Sequence, residues 1–392
     1  MEIHGHCDEH FLPVREAFER NFDEHGDVGA CFAATLEGEY VVDLWAGHQD
    51  EARTRPWLED TIVNVYSTTK TMTFLCALML ADQDRLDFDA PVADYWPEFA
   101  ANGKERIPVK YLLSHTAGVP GFSRPFSNAE LYDWDLACAD LANQEPWWEP
   151  GIQSGYHAIT QGYLIGEVIR RITGRTMGTY FREEVAEKIG VDFHIGVPPS
   201  EFNRIADLIP AVEIAPILQM DPDSITARVF AGEMTEGDLT DVTRTDGWRR
   251  AEIPAANGHG NARSVVRAQT ALANNGRAFG VELLSPDGAR KALEPQIDGV
   301  DVVLGLPIQF AMGFALPTEG IPISPNANTL WWGGAGGSLI AIDTDAHLCF
   351  SYVMNQMDNH IVGDPRGTGL GSALYGCIDR RLNHDPALVR FS

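Results

Sequence analysis

Basic residues are scarce in this chain: five lysines in 392 residues, and 29 Lys+Arg against 56 Asp+Glu, a formal charge of −27. Neutralising a phosphate backbone needs clustered Lys and Arg, so this balance excludes nucleic acid as a partner. An anionic membrane surface repels the chain for the same reason. No run approaches the ~18 apolar residues of a membrane-spanning helix. The opening MEIHGHCDEHFLPVREAF lacks the basic segment and apolar stretch of a secretion signal. Cysteine is sparse, with six residues and no pair at the two-residue spacing of a zinc or redox motif. Cys76 and Cys349 sit in apolar runs, where a thiol acts as a small hydrophobe. The cysteines therefore read as reduced and the compartment as cytoplasmic. A Gly-x-Ser-x-Gly elbow, a phosphate-binding glycine loop, internal repeats and low-complexity segments are absent as well.

What remains is ordinary globular composition, 44% hydrophobic and 22% charged. At ~150 residues per domain the length suggests two to three units. Phe11, Val14, Ala17 and Phe18 share one face of a helix predicted over 9–22. Gly29–Leu36 and Tyr40–Trp45 read as a hairpin around Glu37-Gly38-Glu39. Residues 67–81, STTKTMTFLCALMLA, are apolar nearly all round and predict a buried helix. Further helices are expected at 108–113, with a proline in the first turn, at 157–172, stopped by Gly174, and at 176–189, stopped by Gly190. Residues 198–254 are loop-rich, and a long loop region in a compact protein is more often functional than idle. Beyond 255 come helices at 263–275, 285–293 and 366–382, and strands at 337–342 and 347–355 around Asp343-Thr344-Asp345. This order fits an α/β plus all-α fold, an antiparallel sheet flanked by terminal helices with a helical domain inserted. The expected division is 1–65 and 255–392 for the α/β domain and 66–254 for the helical one, with 198–254 lining the substrate cleft.

Three segments carry possible chemistry. Ser67-Thr68-Thr69-Lys70 is the only place where lysine follows serine by three. Residues i and i+3 share a helical face, so hydroxyl and amine can meet there. Apolar surroundings and the positive helix end disfavour the charged amine, which suits Lys70 to take the serine proton. The bland alternative is that Ser67 caps the helix and Lys70 snorkels to solvent. Tyr156, after the Pro150-Gly151 turn, could relay a proton, or could be a core tyrosine bonded to backbone. Trp331-Trp332-Gly333-Gly334-Ala335-Gly336-Gly337-Ser338 could offer an N–H to an oxyanion, or be a glycine-rich bulge beside packed tryptophans.

These three segments in this order resemble the serine β-lactamase-like superfamily, nearest to the family VIII carboxylesterases related to class C β-lactamases. The resemblance runs over roughly residues 10–382 through VNVYSTTKTMT, VKYLLSHTAGVPGF, PGIQSGYHAITQGYLIGEVIRRITG and WWGGAGGSLIAID. It implies that Ser67 is the acyl-forming nucleophile, that Lys70 accepts its proton and that Tyr156 shares it. It implies an oxyanion hole from the N–H groups of Ser67 and Ala335, with no metal and no organic cofactor. Two departures matter: Ala158 stands where many members have Asn, and Trp332 where many have Lys or His. Losing the cation disfavours a carboxylate-bearing β-lactam. The expectation is a carboxylesterase for short-chain neutral esters, with Trp332, Gly333, Gly334 and Trp148 against the substrate. A β-lactamase, amidase or acyltransferase of the same superfamily, or a non-catalytic binding protein, are the alternatives. Two other patterns compete: His6-Cys7-Asp8-Glu9-His10 matches a metalloprotease signature, and His115, His157 and His259 could serve a Ser-His-Asp triad. His115 reads more simply as a turn residue after a short helix. The oligomeric state has no signature in the sequence.

Overall fold

Alternate residues of Gly29–Leu36 point to opposite faces, as in any strand, yet both sets are buried. The computed structural model, which describes residues 1–211, 221, 223–233, 239–360 and 364–384, shows why. The strands β1 (Ile3–Cys7), β2 (Gly29–Leu36), β3 (Glu39–Gly47), β4 (Ile297–Val300), β5 (Pro307–Phe310), β6 (Ala315–Leu316), β7 (Thr329–Gly333), β8 (Leu339–Asp343) and β9 (Leu348–Met354) form one sheet. Their order across it is β1-β3-β2-β9-β8-β7-β6-β5-β4, with every neighbouring pair antiparallel. The centre joins the two ends of the chain, with β2 against β9 from Ala30↔Met354 to Leu36↔Leu348.

Helices cover both faces. Ala30, Phe32 and Ala34 pack with Val14 and Phe18 of α1 (Leu12–Glu24) and with Phe11 just before it, while Cys31 and Ala33 face the helical side. The interior of that side is α2 (Lys70–Asp82), in which every residue from Lys70 to Ala81 is buried. Against it lie α3 (Thr160–Thr173), the helical segment Met177–Ile189 and α5 (Ala262–Ala273), which also crosses β2 and β9; α4 (Ile225–Glu233) precedes α5 in the chain. The long α6 (Pro365–His384) returns to pack beside α1. Glu37 and Gly38 close the β2–β3 hairpin with φ of 53° and 86°, the two left-handed residues that a tight hairpin turn needs. The α/β sheet with terminal helices and an inserted helical region is thus the expected one.

Several details differ from the sequence reading. Pro108 caps the short helix Val109–Leu113 rather than opening it. The helix expected from 157 starts at Thr160. Residues 176–189 form three pieces, Met177–Phe181, a wide turn Arg182–Ala186 and Glu187–Ile189, before Gly190 ends them at φ 67°. The loop-rich 198–254 stretch holds a 3-10 helix at Pro199–Arg204 and α-helices at Ile225–Glu233, Leu239–Thr243 and Asp246–Arg250. All are too short for a periodic signal. Residues 212–220, 222 and 234–238 of that stretch lie outside the described residues. β1 has no signature in the sequence, because it is an edge strand whose middle residues are exposed and it carries no apolar alternation. It also dissolves the metalloprotease pattern: His6 is on β1, while His10 lies in a 3-10 turn with its ring bonded to the Cys377 carbonyl at 2.7 Å. Among the described residues no helix is long and apolar enough to cross a membrane, and no His, Cys, Asp and Glu cluster could hold a metal ion.

Phe74, fully buried on α2, packs edge-on to Phe314, and a side chain on Gly313 would lie 2.5 Å from its ring. The site has no room to collapse around a smaller residue. Phe74→Ala should therefore cost about 3–5 kcal/mol. Urea unfolding would show it as a lowered midpoint at unchanged slope.

Candidate active site

Ser67 lies in a 3-10 turn, Tyr66–Thr69, and α2 begins only at Lys70. With three residues per turn, side chains at i and i+3 eclipse each other. Lys70 Nζ accordingly donates to Ser67 Oγ at 3.2 Å. It also donates to the carbonyls of Ala158 at 2.6 Å and Ala255 at 2.9 Å. The helix is apolar, but three oxygens ring the amine: two carbonyls take its N–H groups and the Ser67 hydroxyl is its third partner. Tyr156 reaches the same hydroxyl from another element, its O–H donating to Ser67 Oγ at 2.7 Å. The Lys70 Nζ stands 4.8 Å from the centre of the phenol ring. Lys70 is 1% and Tyr156 6% exposed, whereas Ser67 keeps a partly open face.

The residue before the nucleophile candidate is strained. Tyr66 has φ of 44°, a conformation that bulky side chains rarely adopt, and its hydroxyl donates to the Leu239 carbonyl. No sequence pattern signals this.

The glycine-rich segment explains itself by contact. A side chain on Gly334 would lie 2.1 Å from the Val65 carbonyl oxygen and 3.1 Å from the Ser67 nitrogen. Backbone thus lies directly on backbone, with the Ser338 hydroxyl pinning Val65 O at 2.9 Å and pairing with Thr68 at 2.9 Å. Gly337 N–H bonds back to Gly334 O, and Gly336 has φ of 92°, so Ala335 stands exposed at the tip of a tight turn. Neither the Ser67 nor the Ala335 N–H takes part in the turn and loop hydrogen bonds of the described residues. Behind the turn, the buried Arg366 guanidinium donates to Gly336 O at 2.8 Å and pairs with Asp364 and Asp27.

Tyr156 belongs to a loop, not to α3. The Gly155 N–H bonds to His115 O, the Tyr156 N–H to Asp301 Oδ1 and the His157 N–H to His115 Nδ1, each at 3.0 Å. These side-chain acceptors delay the helix to Thr160. His157 Nδ1–H donates to Gly155 O at 2.6 Å and Nε2 accepts from the Val119 N–H. His259 is committed to Asn257 O. None of the three histidines reaches Ser67, so among the described residues they form no Ser-His-Asp triad with it. His115 is the expected turn residue after the short helix Val109–Leu113, and it is fully buried, at φ 61°.

The expected substrate contacts divide. Trp332 is 4% exposed, its ring set against Tyr156 (5.4 Å), Phe310 (5.5 Å) and His115 (6.2 Å), so it backs the phenol rather than facing open space. Trp148 is half-buried over Gly155, where a side chain would lie 2.4 Å from the indole. Gly333 is half-buried beside Gly334. A separate polar cavity of about 620 Å³, lined by Glu59, Asp60, Asp192, Asn261, Arg263 and Arg267, contains none of these groups.

Comparison with known proteins agrees with this geometry. The family description "Beta-lactamase" matches residues 15–369. The chain belongs to the beta-lactamase family. Among relatives of this beta-lactamase family protein is the esterase/beta-lactamase LipL of Mycobacterium tuberculosis, 33% identical over 373 residues, covering 92% of this chain and 84% of LipL. The crystal structure of a family VIII carboxylesterase is 42% identical, covers 96% of this chain and 100% of its own, and superposes with a TM-score of 0.90. A penicillin-binding protein homologue from Caulobacter crescentus is 39% identical over 96% of this chain and 100% of its own, with a TM-score of 0.89.

Two predictions follow from the packing around this beta-lactamase family site. Gly334→Ala sets a methyl against the Val65 carbonyl and must move the turn from Ser67. Turnover should fall by about 100-fold, as for loss of an oxyanion donor, while KM changes little; steady-state ester kinetics decides it. The second concerns acid. Burial pushes His157 and His259 down to about 3, and His115 well below 6.5. Below about pH 6.5 the unfolded chain takes up protons at these rings and the folded chain does not, so stability falls as pH falls, by about 1.4 kcal/mol per ring per pH unit. Asp27, raised to about 6 by burial, opposes this more weakly and only below that pH. Tm should drop between about pH 7.5 and about pH 5.5; an unchanged Tm would mean that the folded rings do accept protons.

Proposed function

We propose that this protein is a serine carboxylesterase that cleaves short-chain neutral esters through an acyl-enzyme on Ser67. The observation that carries the reading is the convergence on one half-open hydroxyl of Tyr156 at 2.7 Å and Lys70 at 3.2 Å. Lys70 as the free amine takes the serine proton, and the Tyr156 phenol, bonded to the same hydroxyl, shares it and passes it on. Ser67 Oγ then adds to the ester carbonyl. The developing oxyanion sits between the N–H groups of Ser67 and Ala335. Tyr156 returns the proton to the leaving alcohol, and water enters by the same route to release the acid. Ser67, Lys70 and Tyr156 come from the 66–254 segment and Ala335 from the 255–392 segment, which supports a cleft between two domains divided there.

Substrate neutrality follows from what surrounds the phenol. Trp332 replaces a cation with a buried indole, and the Ala158 carbonyl serves Lys70 instead of a substrate amide. Gly333, Gly334 and Trp148 are assigned to the substrate on this reading. No metal or organic cofactor is called for. No disulfide joins any of the six cysteines among the described residues, which supports a reducing, cytoplasmic compartment. A β-lactam or amide substrate is the second reading, favoured by the double name of the LipL relative.

One experiment separates them. Treatment with a serine-reactive phosphonate should add one adduct that maps to Ser67, and Ser67→Ala should abolish both labelling and hydrolysis. An adduct at Ser114 or Ser338 would overturn the assignment. On the wild-type protein, kcat/KM for p-nitrophenyl butyrate should exceed that for a chromogenic cephalosporin by about 100-fold or more; equal values would move the reading to the β-lactam.

A further inference from the structure

The buried polar groups that this chemistry leaves unused gather behind the Tyr156 ring. His115 and Asp301 are both 0% exposed. Asp301 Oδ1 accepts three backbone N–H groups, from Tyr156 (3.0 Å), Val303 (3.0 Å) and Leu304 (2.9 Å), and the Ser154 hydroxyl lies beside the same carboxylate. His115 takes the Gly155 N–H on its carbonyl and the His157 N–H on Nδ1, and its Nε2 has no hydrogen-bond partner among the described residues. Three successive N–H groups around Tyr156 are therefore held from two sides by residues far away in sequence.

The same imidazole also packs on the phenol. Its centre is 4.8 Å from the Tyr156 ring and 4.8 Å from Phe310. Holding it there requires a left-handed backbone, φ 61°, at a non-glycine residue. Each of these features is costly to folding: a buried carboxylate, a buried imidazole and a strained φ. A core built for stability alone would use apolar side chains at both places.

We infer that His115, with Asp301 as its counterpart on the other side of the loop, is a positioning residue that fixes the Tyr156 hydroxyl on Ser67. The inference rests on the reading that Tyr156 moves the proton at Ser67. The phenol oxygen lies at the far end of a long lever whose root is the Gly155–His157 backbone. A displacement of about 1 Å in such a group can lower a rate on the order of 100-fold. Because Nδ1 accepts a backbone N–H, the ring carries its proton on Nε2. Burial, reinforced by His157 and Lys70, keeps it neutral well below the usual histidine range, so this clamp does not open over ordinary pH.

The test is a double-mutant cycle on the full-length protein, read as the acylation rate and KM for p-nitrophenyl acetate. His115→Phe keeps a ring but removes the acceptor. His115→Asn restores an acceptor and tolerates the left-handed backbone. We expect His115→Phe to slow acylation by about 10- to 100-fold with KM within about 2-fold, and His115→Asn to recover most of that loss. In the Tyr156→Phe background, His115→Phe should add less than about a 2-fold further loss, because the hydroxyl it positions is gone. Asp301→Asn, which keeps an oxygen for the three N–H groups, and Asp301→Ala form an independent second pair with the same expected pattern, usable if His115→Phe does not fold. An equal loss in both backgrounds, or wild-type acylation in His115→Phe, overturns the inference while leaving Tyr156 in its role. Full activity in Tyr156→Phe alone removes the role of Tyr156, and this inference with it.

Discussion

Gly334 rests on the backbone of Val65 and Ser67 with no space for even a methyl group between them. That contact brings the β7–β8 turn against the start of the buried helix α2. From it follow the placement of the Ala335 N–H beside Ser67, the need for Ser338 to hold the Val65 carbonyl, and the run of glycines themselves. A 3-10 turn ahead of α2 then sets Lys70 beneath the serine. Tyr156 completes the arrangement from a loop that depends on distant side chains rather than on its own helix.

How far the sequence discloses this depends on the range of each interaction. The buried α2, the amphipathic α3 and the β2–β3 hairpin are legible because their signals repeat within a dozen residues. Ser67 and Lys70 are legible as a pair because their spacing matches a helical face. Tyr156 and Ala335 are placed by family resemblance, since a tyrosine after a turn and an alanine among glycines have no local signature. Asp301 is illegible: it sits 145 residues from the loop it holds. Arg366 lies 30 residues from Gly336 and meets it only across the folded sheet. His115 sits in a recognisable stretch, yet nothing in that stretch tells a buried clamp from a surface turn.

Charge burial runs through the same region. Asp27 is raised to about 6 although Arg366 donates to it at 2.9 Å and Tyr352 at 2.6 Å. Desolvation outweighs the guanidinium there, as expected where an ion pair is taken wholly out of water. The network ties the loop before β2, strand β9, the first turn of α6 and the Gly336 carbonyl into one unit. Its contribution is fixed geometry at the third motif more than stability.

The pairing of β2 with β9 has a consequence for how the molecule is made. Residues 29–36 must wait for residues 348–354 before the middle of the sheet exists. Pairings of such sequence separation close slowly, and during synthesis they cannot close at all until the later segment has left the ribosome. Helices α2 and α3 can assemble well before that, with Ser67, Lys70 and Tyr156 already among them. The turn bearing Ala335 arrives last, together with the strands that brace it. A growing chain therefore holds Ser67, Lys70 and Tyr156 before the turn bearing Ala335 is in place, and on the proposed mechanism reactivity is withheld until the sheet has closed.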